Sequence, residues 1–524
     1  MPLAHRVAES AAGPRQDRAA FVLDGRVQTY RRLAARAAAV SAGLREVASR
    51  HRSWQRPGDR LLALGTGNHP AFAELFVGAT AGDGACAVLD PSWGAEQTRS
   101  VLIRLRPDLL VLPSGRPDLR KAAAGLGIHT LVAGEDGSPS SSPSTYETWL
   151  AGHRDADPAA ELVAGDAATP FLVGFTSGST GVPNAFYRSR GSWRVSLAEG
   201  HEVWGVDADA HTFAPGPLAH GLSLYAFAEC LESGAAFHGL SSFDADAVVR
   251  RLATAELRRL VLVPTMIIAL GSAARAAGQK FPGVRAVISG GAKLDPQLVP
   301  AVAEVLPEAH VTEYYGASEL GFVTVGAPGA EPAARDVGLP WPSVTLQIRD
   351  ENGASVAPGS PGLVHVRSPL RCSGYLWGEG SYRTDGEWAT VGDLGRLSED
   401  GHLHLIGRGD MVVTGGLNVY PAEVEAALLR LPGVDTAIVT GIPDDYLGTA
   451  LVAALGGPGA DGLTAARIRE LCGPALPRYK VPRRFYAVSE WPLTGSGKIA
   501  RGRIEEWIAH DDARLAPLPP GTPS

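Results

Sequence analysis

The sequence predicts an α/β protein with a large N-terminal domain of stacked βαβ sheets, a β-rich subdomain, and a small mobile α+β C-terminal domain. Three observations carry that expectation. Over the first part of the chain short apolar runs alternate with alanine-rich stretches of helical period, the signature of βαβ units around a largely parallel sheet. From Ser343 the texture changes to short alternating strands between Gly, Pro and Asn turns. Beyond Arg408 a glycine-rich bend opens a last group of strands and helices. With 524 residues the chain exceeds a single core, and the expected division is residues 1–407 and 408–524.

In chain order, Ala20–Asp24 reads as a strand, Gly25-Arg26 as a turn and Tyr30–Val47 as a helix. Arg60–Leu64, Ala85–Leu89 and Leu109–Leu112 follow as strands, with helices at Pro70–Ala79 and Gln97–Leu105 between them. Val132–Pro158, rich in Ser, Pro, Gly and Asp, reads as a connecting loop. Phe171–Phe175 is a buried strand that empties into Thr176-Ser177-Gly178-Ser179-Thr180-Gly181. Two glycines there allow close backbone approach and the hydroxyls add donors without bulk, which suits phosphate oxygens. The spacing matches neither Gly-x-x-x-x-Gly-Lys-Ser/Thr nor Gly-x-Gly-x-x-Gly.

Thr212–His220 ends in a histidine just before an apolar helix, Leu222–Leu231. Leu260–Val263 and Ala286–Ala292 are strands, the second ending in Gly290-Gly291, where a flat ring can lie against the backbone. Val311–Glu319 runs into Tyr315-Gly316, with Ser318 and Glu319 beyond, so one strand end offers a stacking surface, a hydroxyl and a metal-binding oxygen. Thr345–Arg349 and Leu363–Arg367 are short strands, followed by Gly392-Asp393, Gly407–Asp410 and Thr414–Gly416. Pro421–Leu431 is helical, Asp435–Leu455 and Arg467–Leu471 complete the terminal unit, and Pro492–Lys498 carries a lysine on a glycine loop. Leu515–Ser524, with four prolines, reads as a frayed tail.

Composition narrows the function classes. Apolar residues are 45% and charged residues 20%, ordinary globular usage. The net charge of −7 is spread without a basic block, against a nucleic-acid partner. Cys86, Cys230, Cys372 and Cys472 are too far apart for metal knuckles or a disulfide framework, so a reducing cytoplasm is expected. Met1–Gly13 has no apolar core of a leader and no run of about 18 apolar residues appears, so no membrane association is expected.

Taken in this order, from the helix at Tyr30 to Lys498, these segments resemble the adenylate-forming superfamily of acyl-CoA synthetases, luciferases and peptide-synthetase adenylation domains. Gly416-Leu-Asn-Val-Tyr-Pro-Ala-Glu-Val-Glu425 is similar to the acyl-CoA synthetase form. The resemblance implies an enzyme that turns a carboxylic acid and MgATP into an acyl-adenylate and then passes the acyl group to the thiol of coenzyme A. It assigns Thr176–Gly181 to phosphate, Gly290-Gly291-Ala292, Tyr315 and Gly316 to adenine, Ser318 to a phosphate and Glu319 to Mg²⁺. Asp393 would hold the ribose hydroxyls, Arg408 a ribose or phosphate oxygen, and His220 the mouth of the acyl pocket. Lys498 would bridge the carboxylate and α-phosphate, Gly415-Gly416 would line the pantetheine tunnel, and Gly409 or Asp410 would be the pivot of a rotating C-terminal domain. Pro217–Ser223 lacks the aspartate that holds an α-amino group, so a non-amino acid is implied.

Two departures stand out. Where the family reads Pro-Lys-Gly-Val, this chain has Pro183-Asn184-Ala185-Phe186. The missing lysine removes a donor to the β- and γ-phosphates. If position 185 is left-handed, Ala185 adds roughly 1–2 kcal/mol of strain, and Phe186 crowds the loop. Adenylation is therefore expected to be weak or absent while thioesterification of an acyl-AMP supplied by a separate adenylating enzyme survives. A fully competent two-step synthetase, acyl transfer to a carrier-protein phosphopantetheine, and a non-catalytic adenylate-binding protein stay open. The second departure is the spacing from Arg408 to Gly415, one residue shorter than in the family.

Overall fold

The computed structural model describes residues 3–49, 60–134, 145–176, 182–294, 296, 298–329, 336–378, 380–408, 412–414, 417–419, 421–444, 448–472, 476, 480–494 and 497–521. Two compact units divide the chain. One comprises Met1–Pro332, Gly338–Thr345 and Val366–Val391, the other Ala333–Val337, Leu346–His365 and Gly392–Ser524.

The first unit is built on two sheets. One has seven strands in the order Gly374–Trp377, Asn184–Ser189, Pro170–Thr176, Gly84–Val88, Arg60–Leu64, Leu109–Pro113 and His129–Ala133. From Pro170–Thr176 outward to His129–Ala133 the strands are parallel. Leu61–Leu64 and Ala85–Val88 are buried along their whole length, the continuous apolar run expected of parallel strands covered on both faces. The second sheet has nine strands with a parallel middle: Ala19–Leu23, Ala236–Gly239, His211–Phe213, Arg259–Leu262, Ala286–Ser289 and His310–Ala317. Because Ala286–Ser289 and His310–Ala317 are parallel neighbours, Gly290-Gly291 and Tyr314–Gly316 come to the same carboxyl edge, where open α/β sheets place their ligands.

The loop expected over Val132–Pro158 is corrected at two places, and its residues 135–144 lie outside the described residues. Its start belongs to the strand His129–Ala133, and Tyr146–Ala151 is a helix. Tyr146 is fully buried and its hydroxyl donates to Glu74 Oε1 at 2.8 Å. One turn with Tyr146 and Leu150 facing inward is too short a period to stand out among the polar residues around it.

A buried histidine in this sheet makes stability depend on pH. His238 Nε2 lies 3.1 Å from His211 Nδ1, and its Nδ1 lies 3.1 Å from Arg251 Nη2. Burial, and then the charge of Arg251, pull its pKa from 6.5 down to about 3. The unfolded chain takes up this proton near its ordinary pKa, the folded chain only near 3. The contribution is therefore complete above 6.5 and is lost as pH falls. Between pH 7 and pH 5 the loss is expected to be about 2 kcal/mol, measurable by urea denaturation, and His238→Gln should flatten that slope.

In the second unit, Asp393–Leu397 pairs antiparallel with Leu403–Arg408. Val412–Thr414 pairs with Leu417–Val419. The last part is a four-stranded sheet, Thr436–Asp444, Gly448–Gly456, Arg484–Val488 and Leu515–Pro517. Helices Pro421–Leu428 and Ala465–Cys472 close a core around Val424, Leu428, Val439, Leu455, Ile468 and Phe485. Leu515–Pro517, expected in a frayed tail, is thus an edge strand, anchored by buried Leu515 beside Trp507 and Ile508. Among the described residues no helix is long and apolar enough to cross a membrane.

Candidate active site

At the carboxyl edge of the second sheet, Gly291 has φ +88°, a conformation that L side chains rarely adopt. Gly290 is buried, and a Cβ there would stand 2.5 Å from the Tyr314 ring. The pair thus lets the chain turn sharply while Tyr314 lies over it, beside Phe322 and Trp204. Ala292 is exposed, and Tyr315 and Gly316 are half-buried. Two residues that sequence reasoning missed hold this turn. Glu313 accepts from the Leu294 backbone N–H at 2.7 Å and pairs with Lys293. Only the return of the turn after Ser289 toward Glu313, which lies opposite Ser289 on the next strand, reveals the pair.

Ser318 is exposed, and Glu319 is only 4% exposed. Tyr375 donates its hydroxyl to Glu319 Oε1 at 2.8 Å, and the Cys372 N–H donates to the Glu319 carbonyl at 2.7 Å. Burial, and then the charge of Glu319, push the Tyr375 phenol well above its ordinary pKa, so it stays a donor. Among the described residues no cation pairs with Glu319, and an ionised carboxylate so buried is costly alone. One carboxylate completed by phosphate oxygens is how Mg²⁺ is ordinarily held, and the residues fit that ion.

Thr176 ends its strand with Oγ1 buried and without a partner among the described residues. Ser177, Gly178, Ser179, Thr180 and Gly181 lie outside the described residues. The expectation of strain at position 185 is overturned. Asn184–Ser189 is a strand, paired to Pro170–Thr176 on one side and to Gly374–Trp377 on the other. Ala185 is extended, has no positive φ and is buried between Phe175 and Trp377, so no strain arises there. Phe186 is buried against Gly174, where a Cβ would collide with its ring. It fills the space left beside Gly174 within the sheet. Asn184 remains at the strand's start opposite Thr176, with its side chain packed against Gly378, φ +93°.

His220 precedes the helix Gly221–Ser233 in extended conformation and is half-buried. Asn68, unremarked in the sequence, clamps the approach to it: Oδ1 accepts from Leu218 N–H at 2.7 Å, and Nδ2 donates to Gly216 O at 3.0 Å and Leu240 O at 2.7 Å.

In the second unit Asp393 and Arg408 stand directly opposite each other on adjacent strands, so these two candidates are brought together. Asp393 is half-buried. Lys498 is exposed on a tight hairpin, Leu493 pairing with Ile499, with Thr494 N–H donating to Lys498 O at 2.7 Å and Gly497 at φ +79°. Gly409, Asp410, Gly415 and Gly416 lie outside the described residues.

The sequence matches the family model of AMP-binding enzymes over residues 7–376 and that of the AMP-binding enzyme C-terminal domain over 423–498. It is 32% identical over 444 residues to the uncharacterized acyl–CoA ligase YhfT of Bacillus subtilis (strain 168), covering 84% of this chain and 86% of the relative. It is 30% identical over 503 residues to a feruloyl-CoA synthase of Amycolatopsis sp., covering 92% and 94%. The fold is similar to that of ATP-bound MatB from Rhodopseudomonas palustris, with a TM-score of 0.83 at 23% identity over 97% of this chain and 100% of that one.

Proposed function

The chain belongs to the AMP-binding enzyme family, and from that premise we propose that it is an acid–thiol ligase, forming the CoA thioester of a non-amino carboxylic acid through an acyl-adenylate. The observation that carries this reading is Glu319, buried with no cation paired to it among the described residues, in the hairpin that follows His310–Ala317, the strand whose parallel neighbour Ala286–Ser289 leads into Gly290-Gly291. A carboxylate placed there suits a nucleotide phosphate and its metal, and the names of the relatives support an acid and CoA as the other substrates.

Each group then has a task. Tyr315 and the Gly290–Ala292 backbone bind the adenine, Asp393 the ribose, and Ser318 and the Thr176–Gly181 stretch the phosphates. Glu319, kept in place by Tyr375, would hold Mg²⁺, which would supply neutralisation of phosphate charge. Lys498 masks the negative charges of the attacking carboxylate and α-phosphate. Thiol transfer needs positioning more than charge, because the adenylate is already activated. As the family resemblance implies, Gly415-Gly416 would serve the thiol's approach and Gly409 or Asp410 would be the pivot between the two steps.

Thioesterification is the stronger half of this reading. With Ala185 and Phe186 relaxed inside a strand, Asn184 is the one change left that weakens the ATP-dependent half, and loss of one preorganised cation commonly costs about 10²- to 10³-fold. Hexanoyl- and benzoyl-adenylate offered with CoA should give thioester, whereas ATP–pyrophosphate exchange with the free acids should be slow. Asn184→Lys should raise that exchange about 10- to 100-fold. Failure to form thioester from either adenylate would overturn the ligase assignment, and brisk exchange in the unaltered protein would overturn the weak adenylation.

A further inference from the structure

The geometry points to Asp90 as the residue that positions His220. This rests on the reading of His220 as the residue at the mouth of the acyl pocket. Asp90 lies just past the strand Gly84–Val88, and its Oδ2 is 3.5 Å from His220 Nε2. The other oxygen is already committed: Asp90 Oδ1 accepts from the Ser92 N–H at 2.8 Å and the Ser92 hydroxyl at 2.6 Å. That pair of bonds fixes the carboxylate plane and leaves Oδ2 turned to the imidazole. Backbone freedom around His220 is small, because Asn68 clamps Gly216 and Leu218 and the His220 carbonyl accepts from Leu224 N–H at 3.1 Å. What is left is rotation of the side chain. Both partners are mostly buried, with side chains 28% and 17% exposed, so their attraction is less screened than a surface pair's. At 3.5 Å the contact is an ion-pair separation and not a hydrogen bond, so Asp90 acts on the ring through its charge, favouring the tautomer with Nε2–H toward it and opposing rotation of the imidazole across the pocket mouth.

The test uses the whole chain with benzoyl-adenylate and CoA. Asp90→Asn keeps the shape and the Ser92 bonds but removes the charge. The expected result is a KM for the adenylate raised about five- to tenfold with kcat changed less than threefold, and partial recovery in Asp90→Glu. Nitrogen-15 spectra of the imidazole, identified by the signal missing in His220→Gln, should show Nε2–H in the parent and a tautomer mixture in Asp90→Asn. An unchanged tautomer, or an equal fall in kcat and kcat/KM, overturns the positioning role. A tautomer change with no kinetic effect in Asp90→Asn or in His220→Gln upholds the contact and overturns the reading of His220.

Discussion

Lys498→Ala is expected to lower ATP–pyrophosphate exchange by about 10²- to 10³-fold while thioester formation from a supplied adenylate stays within about fivefold of the parent. The asymmetry follows from the charges in the two steps. In the first, a carboxylate approaches an anionic phosphate, and a cation between them acts where negative charge concentrates. In the second, a thiol meets an activated carbonyl and a stable AMP departs, so little charge needs masking. The structure separates this effect from a folding defect. Lys498 is exposed, and its hairpin is shaped by backbone bonds, Thr494 N–H to Lys498 O and Gly497 N–H to Thr494 O, together with the positive φ of Gly497. Truncating the side chain leaves all three in place, so the thermal midpoint should not move. Lys498→Arg should recover little, because a planar fork does not replace a compact ammonium between two anions. Equal losses in both half-reactions would sink the assigned role.

The elements that carry these groups were legible because each declares itself locally. Phe171–Phe175 is apolar without interruption and is the strand Pro170–Thr176. Ala286–Ser289 and His310–Ala317 likewise announce their ends with Gly290-Gly291 and Gly316. What stayed hidden depends on partners distant in sequence. Asn184-Ala185-Phe186 looks like the tail of a loop until Gly374–Trp377 pairs with it, nearly two hundred residues later. Tyr375 has no motif of its own, and only the fold brings its hydroxyl to Glu319. Asn68 is one polar residue in a loop, yet it ties Gly216, Leu218 and Leu240 together. The Gly290-Gly291 turn could be read from glycines that need special backbone. The groups that hold it, Lys293 and Glu313, are ordinary charges whose meaning comes from adjacency across strands.

A second large effect concerns the frame of the same sheet. Arg259→Met is expected to destabilise the protein by about 3–5 kcal/mol, a large share of the roughly 5–15 kcal/mol that keeps a domain folded. Arg259 Nη1 donates to Glu229 Oε2 at 2.5 Å, with side chains only 8% and 1% exposed. Burial already pushes the Glu229 carboxyl above its ordinary pKa, with Arg259 opposing it. Without the arginine the folded carboxyl holds its proton to still higher pH than the unfolded one. Its penalty is then absent at low pH and appears as pH rises, so the loss should be greater at pH 8 than at pH 5, as urea denaturation at both values would measure. The pair is also imperfectly satisfied, since Glu229 Oε1 and Arg259 Nε lack partners among the described residues. Replacing both, Glu229→Leu with Arg259→Met, should therefore recover most of the stability. Glu229 sits on the helix that begins after His220, and Arg259 on the strand beside Ala286–Ser289. If the pair also sets the register between them, the double variant will fold well yet bind the adenylate more weakly; unchanged KM in a stable double variant would show that packing alone sets that register.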